Sequence, residues 1–338
     1  MKKTKTALLR NVAILIVSLL FLVVGSGFVY TDHLLGKINY VPEPKAQTGP
    51  LFDGTQSGAT ESAKSGMLGG LYHDDAVTNI LLLGVDDYQA RDTGRSDSMM
   101  LVSVDTRHKK LKSTSFMRDL YVAIPGRGSN KLNAAYSFNG GQVSGAEGVV
   151  STIEANFGVD VDRFVIIDFK AFPKIIDRLG GVTITLTSGE AKLVNAYSDD
   201  RRHNLTAGTY NLSGAQALYY SRIRAIGDDY ERTQRQRKVF ESIVSKMKTS
   251  NLPTVLSALS DTLPLVTTNM TKNEVVSMAQ NSLTYLNYPV SGHRVPGDGE
   301  FQPEALSVGE VLVPDLDKCK QSLASFLYES DLPDKVYQ

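Results

Sequence analysis

The stretch NILLLGVDDYQARDTGRSDSMMLVSVDTRHKKLKSTSFMRDLYVAIPG, from Asn79 to Gly126, decides the fold. Its runs Ile80–Val85, Met99–Val104 and Tyr121–Ile124 are short, apolar and partly β-branched, as strands buried on both faces are. Asp86, Arg95, Asp97 and Arg118 fall at the ends of these runs or between them. Charges gathered where strands stop lie at the rim of a sheet, where ligand sites of α/β folds form. Two carboxylates and two guanidiniums there point to a metal ion and a phosphorylated ligand.

Downstream, strand-like and helix-like segments alternate. Gly145–Phe157 reads as a helix, Phe164–Phe169 as a strand and Ala171–Leu179 as a helix. After the Gly180-Gly181 break, Val182–Leu186 alternates as a strand, and long helices follow at Tyr230–Lys248 and Lys272–Tyr285. This alternation predicts an α/β fold, a central β-sheet flanked by helices. No Pro/Gly-rich boundary divides residues 76–335, which read as one domain.

Upstream, Lys2, Lys3, Lys5 and Arg10 precede an uncharged apolar segment from Val12 to Tyr30. About 19 residues at 1.5 Å rise span about 28 Å, close to the hydrocarbon thickness of a bilayer. The charge bias predicts a single-pass anchor over 12–30, with residues 1–11 cytoplasmic and the remainder extracellular. The alternative is a signal peptide cleaved near Gly25-Ser26-Gly27. Residues 31–75 are rich in Gly, Ser, Thr and Pro and read as a flexible tether.

The 338 residues carry 36 basic and 36 acidic side chains, a balance that argues against a general nucleic-acid binder. Any anion site must therefore be local. Cys319 is the only cysteine, which excludes an intramolecular disulfide and a cysteine-based zinc site. An external protein without disulfides fits a Gram-positive-type envelope. The histidines show no metal-ligand spacing, and no GxSxG elbow is present.

Three constellations could carry chemistry. Asp86 and Asp97, brought together at a strand edge, suit magnesium, which takes one or two carboxylates plus phosphate oxygens and water. The alternative is a pair of turn caps matched with Arg91 and Arg95. In YYSRIRAIGDDYERTQRQRKVF, residues 219–240, Arg222 and Arg224 are two apart and project to one side of an extended chain. In the following helix, stepping back by four from Phe240 reaches Gln236 and Arg232, so the inward stripe turns polar toward the helix start. Buried arginines need counter-charges, which a pyrophosphate or Asp228, Asp229 and Glu231 could supply. The third, Lys131–Gly141, matches neither a P-loop nor a dinucleotide fingerprint, and an ordinary turn accounts for it.

The segments NILLLGVD, DTGRSDSMMLVSVD, MRDLYVAIPG and KLNAAY, followed by DFKAF, RLGGV, LSGAQALYYSRIR and DYERTQRQR, resemble the LytR-CpsA-Psr family in kind and order over about residues 76–250. The resemblance implies a central mixed β-sheet with a hydrophobic lipid-binding tunnel. It also implies transfer of a cell-wall glycopolymer from a polyprenyl-pyrophosphate carrier to the C6 hydroxyl of N-acetylmuramic acid in peptidoglycan. Carried over by motif, Asp86 and Asp97 are metal ligands for Mg2+, or Mn2+ in its place. Arg95, Arg118, Lys131, Arg222, Arg224, Arg232 and Gln236 bind the pyrophosphate, and Arg118, Asp86, Asp97 and Asp229 are catalytic. Where the family has Ser-x-Pro-Arg-Asp, this chain has Ser115-Phe116-Met117-Arg118-Asp119. The short gap after Arg224 leaves Asp228 and Asp229 interchangeable. Two other functions use the same residues: a membrane-bound regulator or carrier-binding protein without transferase activity, and a lipid pyrophosphatase.

Overall fold

The computed structural model describes residues 36–40, 71–86, 94–168, 170–198, 200, 204–227, 229–249 and 266–329. The elements through the first half are β1 (Asn39–Tyr40), β2 (Val77–Asp86), β3 (Arg95–Asp105), β4 (Lys110–Phe116), β5 (Tyr121–Ile124), β6 (Gly128–Lys131), α1 (Ala134–Phe138), α2 (Gln142–Phe157), β7 (Arg163–Asp168) and α3 (Ala171–Arg178). The remainder are β8 (Val182–Leu186), α4 (Ser188–Tyr197), β9 (Gly208–Leu212), α5 (Gly214–Arg222), α6 (Asp229–Thr249), β10 (Val266–Thr268), α7 (Lys272–Tyr285), β11 (Val290–Val295), β12 (Phe301–Leu306), β13 (Gly309–Pro314) and α8 (Leu316–Tyr328).

The main sheet has seven strands in the order β1-β10-β7-β2-β3-β4-β11. β2 runs antiparallel to β3 and parallel to β7, while β4 runs antiparallel to β3 and parallel to β11, so the sheet is mixed. The Ile80–Val85 run lies at its centre and is apolar because both faces are covered. On one face Leu81, Leu83, Leu101, Phe116 and Phe164 pack against α2 and α8 residues such as Val149, Ile153, Leu323 and Leu327. Burying each such side chain contributes roughly 1.5–3 kcal/mol. On the other face Leu82, Gly84 and Met100 look into a cavity that α3, α5 and α6 roof over.

Two of the strands read from the sequence stand outside this sheet. β5 pairs with β6 and β8 with β9, each as a separate antiparallel pair. The alternation of β8 serves a smaller apolar cluster shared with α4, α5 and α6 rather than the central sheet. Conversely, β4 is an inner strand despite its polar sequence KLKSTSF. Its Lys112 is buried because Nζ lies 2.7 Å from Asp105 Oδ2 and 2.7 Å from the Leu327 carbonyl.

The described residues of Asn39–Gln338 form one compact unit. The tail 1–11 and the span 12–30 lie outside the described residues, and among the described residues no helix is long and apolar enough to cross a membrane. The tether reading of 31–75 needs correction at two places. Asn39–Tyr40 adds to the sheet beside β10, and Tyr72 is buried with its ring 4.0 Å from that of Tyr328. Apolar packing thus begins before Ala76.

Where α2 ends, Glu154 accepts the Val161 backbone N–H at 3.1 Å. Burial, with Asp160 and Asp162 nearby, pushes its carboxyl up to about 7. A raised carboxylate contributes stability that is full below its unfolded value and lost as pH rises through the folded one. Glu154→Gln is therefore expected to match the parent near pH 4 and to exceed it by about 1–2 kcal/mol at pH 8, after allowance for solvent screening. Urea unfolding at both pH values checks this, and an equal offset at both would contradict it.

Candidate active site

The cavity between the sheet and its roof has a volume of about 870 Å³, and its lining is mostly apolar. Helix α5 forms part of that roof because its start is fixed. Ser213 accepts the Gln216 backbone N–H at 3.4 Å, and Gln216 returns by accepting the Ser213 N–H at 3.1 Å. Gly214 is needed there, since a Cβ would stand 2.1 Å from the Pro173 carbonyl oxygen. The helix ends with Arg222 at the cavity mouth. Arg222 thus closes a helix rather than lying on an extended chain. Ile223 and Arg224 lie beyond the helix end, and both arginines still line the cavity.

Helix α6 supplies the other wall. Arg232 and Gln236 line the cavity near the helix start, and Val239, Phe240 and Ile243 line it further along. The polar-to-apolar change along one stripe is the one the spacing predicts. Its neighbours on the helix differ in role. Arg235 is buried against Glu190, Nε to Oε1 2.9 Å, and donates to the Ile223 and Ile226 carbonyls at 3.1 and 3.0 Å. It therefore braces the loop between Arg222 and Asp229.

Asp97 reaches the mouth through a β-bulge. The β2–β3 register passes from Gly84↔Ser98 to Val85↔Ser96, which leaves Asp97 as the extra residue. Such bulges re-aim a side chain. Asp97 Oδ1 lies 3.5 Å from Arg118 Nη1 and Oδ2 lies 3.3 Å from Arg224 Nη2. Arg118 Nε is in turn 3.1 Å from Asp119 Oδ2 and 3.5 Å from Asp229 Oδ1, and Arg232 Nη2 is 2.7 Å from the same Asp229 oxygen. Ser98 donates its hydroxyl to Gln236 Oε1 at 3.2 Å.

Asp229 Oδ2 and Arg232 Nε are buried with no hydrogen-bond partner among the described residues. Burial pushes the Asp229 carboxyl above its ordinary value, against the pull of Arg232 and Arg118. The same burial draws the Arg232 guanidinium down. Both shifts mark charges taken from water with incomplete compensation, a condition that an anionic ligand and a transferable proton relieve.

The structure therefore brings together Asp97, Arg118, Arg222, Arg224, Asp229, Arg232 and Gln236. Lys131 joins only through Asp119, at 2.9 Å from its Oδ1. Arg95 is exposed at the start of β3, opposite Asp86 in the ladder and two residues before Asp97. The Asp86 side chain and Asp228 lie outside the described residues. Asp119, absent from the candidates read from sequence, links Arg118 to Lys131, and its only sequence signal is the Arg-Asp pair. Met117, where the resemblance leads one to expect proline, donates its backbone N–H to the Val295 carbonyl at 2.9 Å. Proline has no N–H to make that bond.

Two clusters with three ligating side chains occur among the described residues, and neither is at the cavity: His73, Asp160 and Asp162, and Asp105, His108 and Glu329. The second is neutralised by Lys112, which reaches both Asp105 and Glu329.

A profile of the LytR_cpsA_psr family matches residues 51–325. The chain belongs to this family. A relative from Bacillus anthracis, the polyisoprenyl-teichoic acid–peptidoglycan teichoic acid transferase TagU, is 32% identical over 253 residues, 74% of this chain and 77% of its own. Among solved family structures, TagT bound to LIIa-WTA superposes with a TM-score of 0.61 at 26% identity, covering 75% of this chain and 91% of TagT. YwtF (TagT) with bound octaprenyl pyrophosphate lipid gives 0.57 at 25%, with the same coverage.

Within this family member, Arg235 is assigned to support rather than to ligand. Arg235→Ala is expected to cost about 3–5 kcal/mol, because it leaves Glu190 buried and unpaired. Urea unfolding measures this, and a loss below about 1 kcal/mol would refute the assignment.

Proposed function

We propose that this protein transfers a glycopolymer from a polyprenyl-pyrophosphate carrier to peptidoglycan, forming a phosphodiester link at the C6 hydroxyl of N-acetylmuramic acid. The observation that carries the reading is a mostly apolar cavity whose lining also includes Arg222, Arg224, Arg232 and Gln236. An apolar tail and a pyrophosphate head joined in one molecule match that lining. The TagU relative is named as a polyisoprenyl-teichoic acid–peptidoglycan teichoic acid transferase, and a TagT structure holds octaprenyl pyrophosphate.

In this reading the guanidiniums of Arg118, Arg222, Arg224 and Arg232 hold the pyrophosphate through charge-assisted hydrogen bonds of roughly 1.5–3 kcal/mol each. Gln236 orients a phosphate oxygen, while Arg95 and Lys131 add positive field from the rim. The acceptor hydroxyl attacks the sugar-linked phosphorus, the bond from that phosphorus to the bridging oxygen breaks, and polyprenyl phosphate leaves. Asp229 takes the hydroxyl proton, since its Oδ2 has no partner among the described residues and burial raises its proton affinity.

Asp97 suits a divalent metal. It is a hard oxygen donor aimed by a bulge, and its guanidinium neighbours stand at 3.3 and 3.5 Å, longer than tight charge-assisted bonds. Asp86, at the end of the neighbouring strand, would be the second ligand. Bound Mg2+, or Mn2+, would offset phosphate charge as it builds on the leaving group. The segment 12–30 anchors the chain in the cell membrane as a single span. It leaves residues 76–335 outside, within reach of lipid carrier and cell wall.

Arg118→Ala and Asp97→Ala are each expected to lower transfer at least about 100-fold with an unchanged fold. Mass spectrometry of products from a polyprenyl-pyrophosphate glycan and peptidoglycan oligomers reads this, and retained transfer by both variants would remove the site assignment. Release of phosphorylated glycan with water as the only acceptor would instead favour the pyrophosphatase reading. Leu218→Trp, which fills the cavity from α5, is expected to raise KM about 10-fold for a long-chain donor and little for a short-chain one. Equal effects on both donors would disconnect the cavity from the lipid tail.

A further inference from the structure

The flank of α6 turned away from the cavity carries a second cationic site. Arg237 lies against β11 in space that Gly292 leaves open. A Cβ on Gly292 would stand 3.2 Å from Arg237 Cδ and 3.6 Å from Ser113 Oγ. Two residues along the strand, on the same face, Arg294 is 8% exposed and lies over the Tyr230 ring of α6, 4.2 Å from its centroid. Arg237 donates only to the His293 carbonyl, at 3.4 Å, and no carboxylate is within ion-pair distance of it among the described residues. Burial and the neighbouring Arg294 draw its guanidinium down, against Tyr230 and the exposed Glu241. Ser115 pairs with Arg294 in the ladder and shares the face of Ser113, and its Oγ is buried with no hydrogen-bond partner. Two guanidiniums and an unused hydroxyl thus share one face of the sheet.

The site adjoins the proposed reaction centre. Arg294 donates to Met117 Sδ at 3.6 Å, one residue before Arg118, and Tyr230 directly follows Asp229. One carboxylate already touches it: Asp298, which is 93% exposed and pairs with Arg294 from the surface. A carboxylate can therefore reach Arg294 from solvent, while Arg237 beside it still lacks one.

We propose that Arg237, Arg294 and Ser115 form a second anion subsite that takes a carboxylate of the peptide stem on the acceptor peptidoglycan. The identity of the acceptor rests on the transferase reading above. The pyrophosphate head is assigned to the other flank of α6, which leaves this flank to the second substrate. Binding of the stem carboxylate there would bring the attached sugar hydroxyl to Arg118 and Asp229.

The test uses the full chain in nanodiscs and a soluble disaccharide-peptide with free carboxylates, beside its fully amidated counterpart, with affinities read by ligand-observed NMR. The parent is expected to bind the carboxylate form about 5–10-fold more tightly than the amide. Arg237→Gln should erase that preference, Arg237→Lys should keep part of it, and Ser115→Ala should weaken it without lowering stability. Affinity for the polyprenyl-pyrophosphate donor should not change in Arg237→Gln. Equal binding of both forms by the parent, an undiminished preference in Arg237→Gln, or a loss of donor affinity in that variant would each overturn the proposal. The transfer assay run in parallel separates the two readings. Carboxylate preference without transfer would sustain the subsite and remove the transferase.

Discussion

A guanidinium buried beside apolar surface must be paired, because the desolvation of its charge is otherwise uncompensated. That requirement organises the mouth of the cavity. Asp97, Asp119 and Asp229 alternate with Arg118, Lys131, Arg224 and Arg232 in one connected chain of charges. The contacts are uneven. Arg232 holds Asp229 at 2.7 Å, whereas Arg118 reaches Asp97 and Asp229 only at 3.5 Å. A chain with long links is held together yet can be re-paired, which is what the proposed pyrophosphate ligand would require in exchanging with the carboxylates.

The two faces of the sheet divide stability from function. One face is closed by α2 and α8 over large, fully buried side chains. The other is roofed by helices that do not fill the space beneath them. Helix α6 sits over that open face with two polar flanks near its start. Arg232 and Gln236 turn to the cavity, and Tyr230 and Arg237 turn to β4 and β11. A donor and an acceptor approaching from opposite flanks of one helix would meet at Asp229, its first residue. Arg235, between the two flanks, is committed to Glu190 and keeps the preceding loop in place.

Much of this was legible in the chain. The apolar runs marked β2 and β3, and the periodicity of Tyr230–Lys248 assigned Arg232 and Gln236 to the inward stripe. Segments left unread or assigned to the wrong sheet are those where tertiary context overrides local pattern. KLKSTSF is an inner strand only because Asp105 and the Leu327 carbonyl receive the buried Lys112. Val182–Leu186 alternates and Tyr121–Ile124 is a short apolar run, yet such patterns report burial and not which sheet buries the strand. The C-terminal elements β11 and α8 have no distinctive pattern, and their place depends on β4 and the α2 face already being formed.

Composition, hydropathy and spacing are local properties, so the sequence by itself determined the α/β class, the family and the residue types of the site. Which charges meet is a non-local property. The bulge that turns Asp97 to Arg118 and Arg224, the contact of Asp119 with Lys131, and the approach of Arg237 on α6 to Arg294 on β11 all bring together residues separated along the chain. Strand order and register bring them together, and these follow from packing the whole sheet rather than from any one segment.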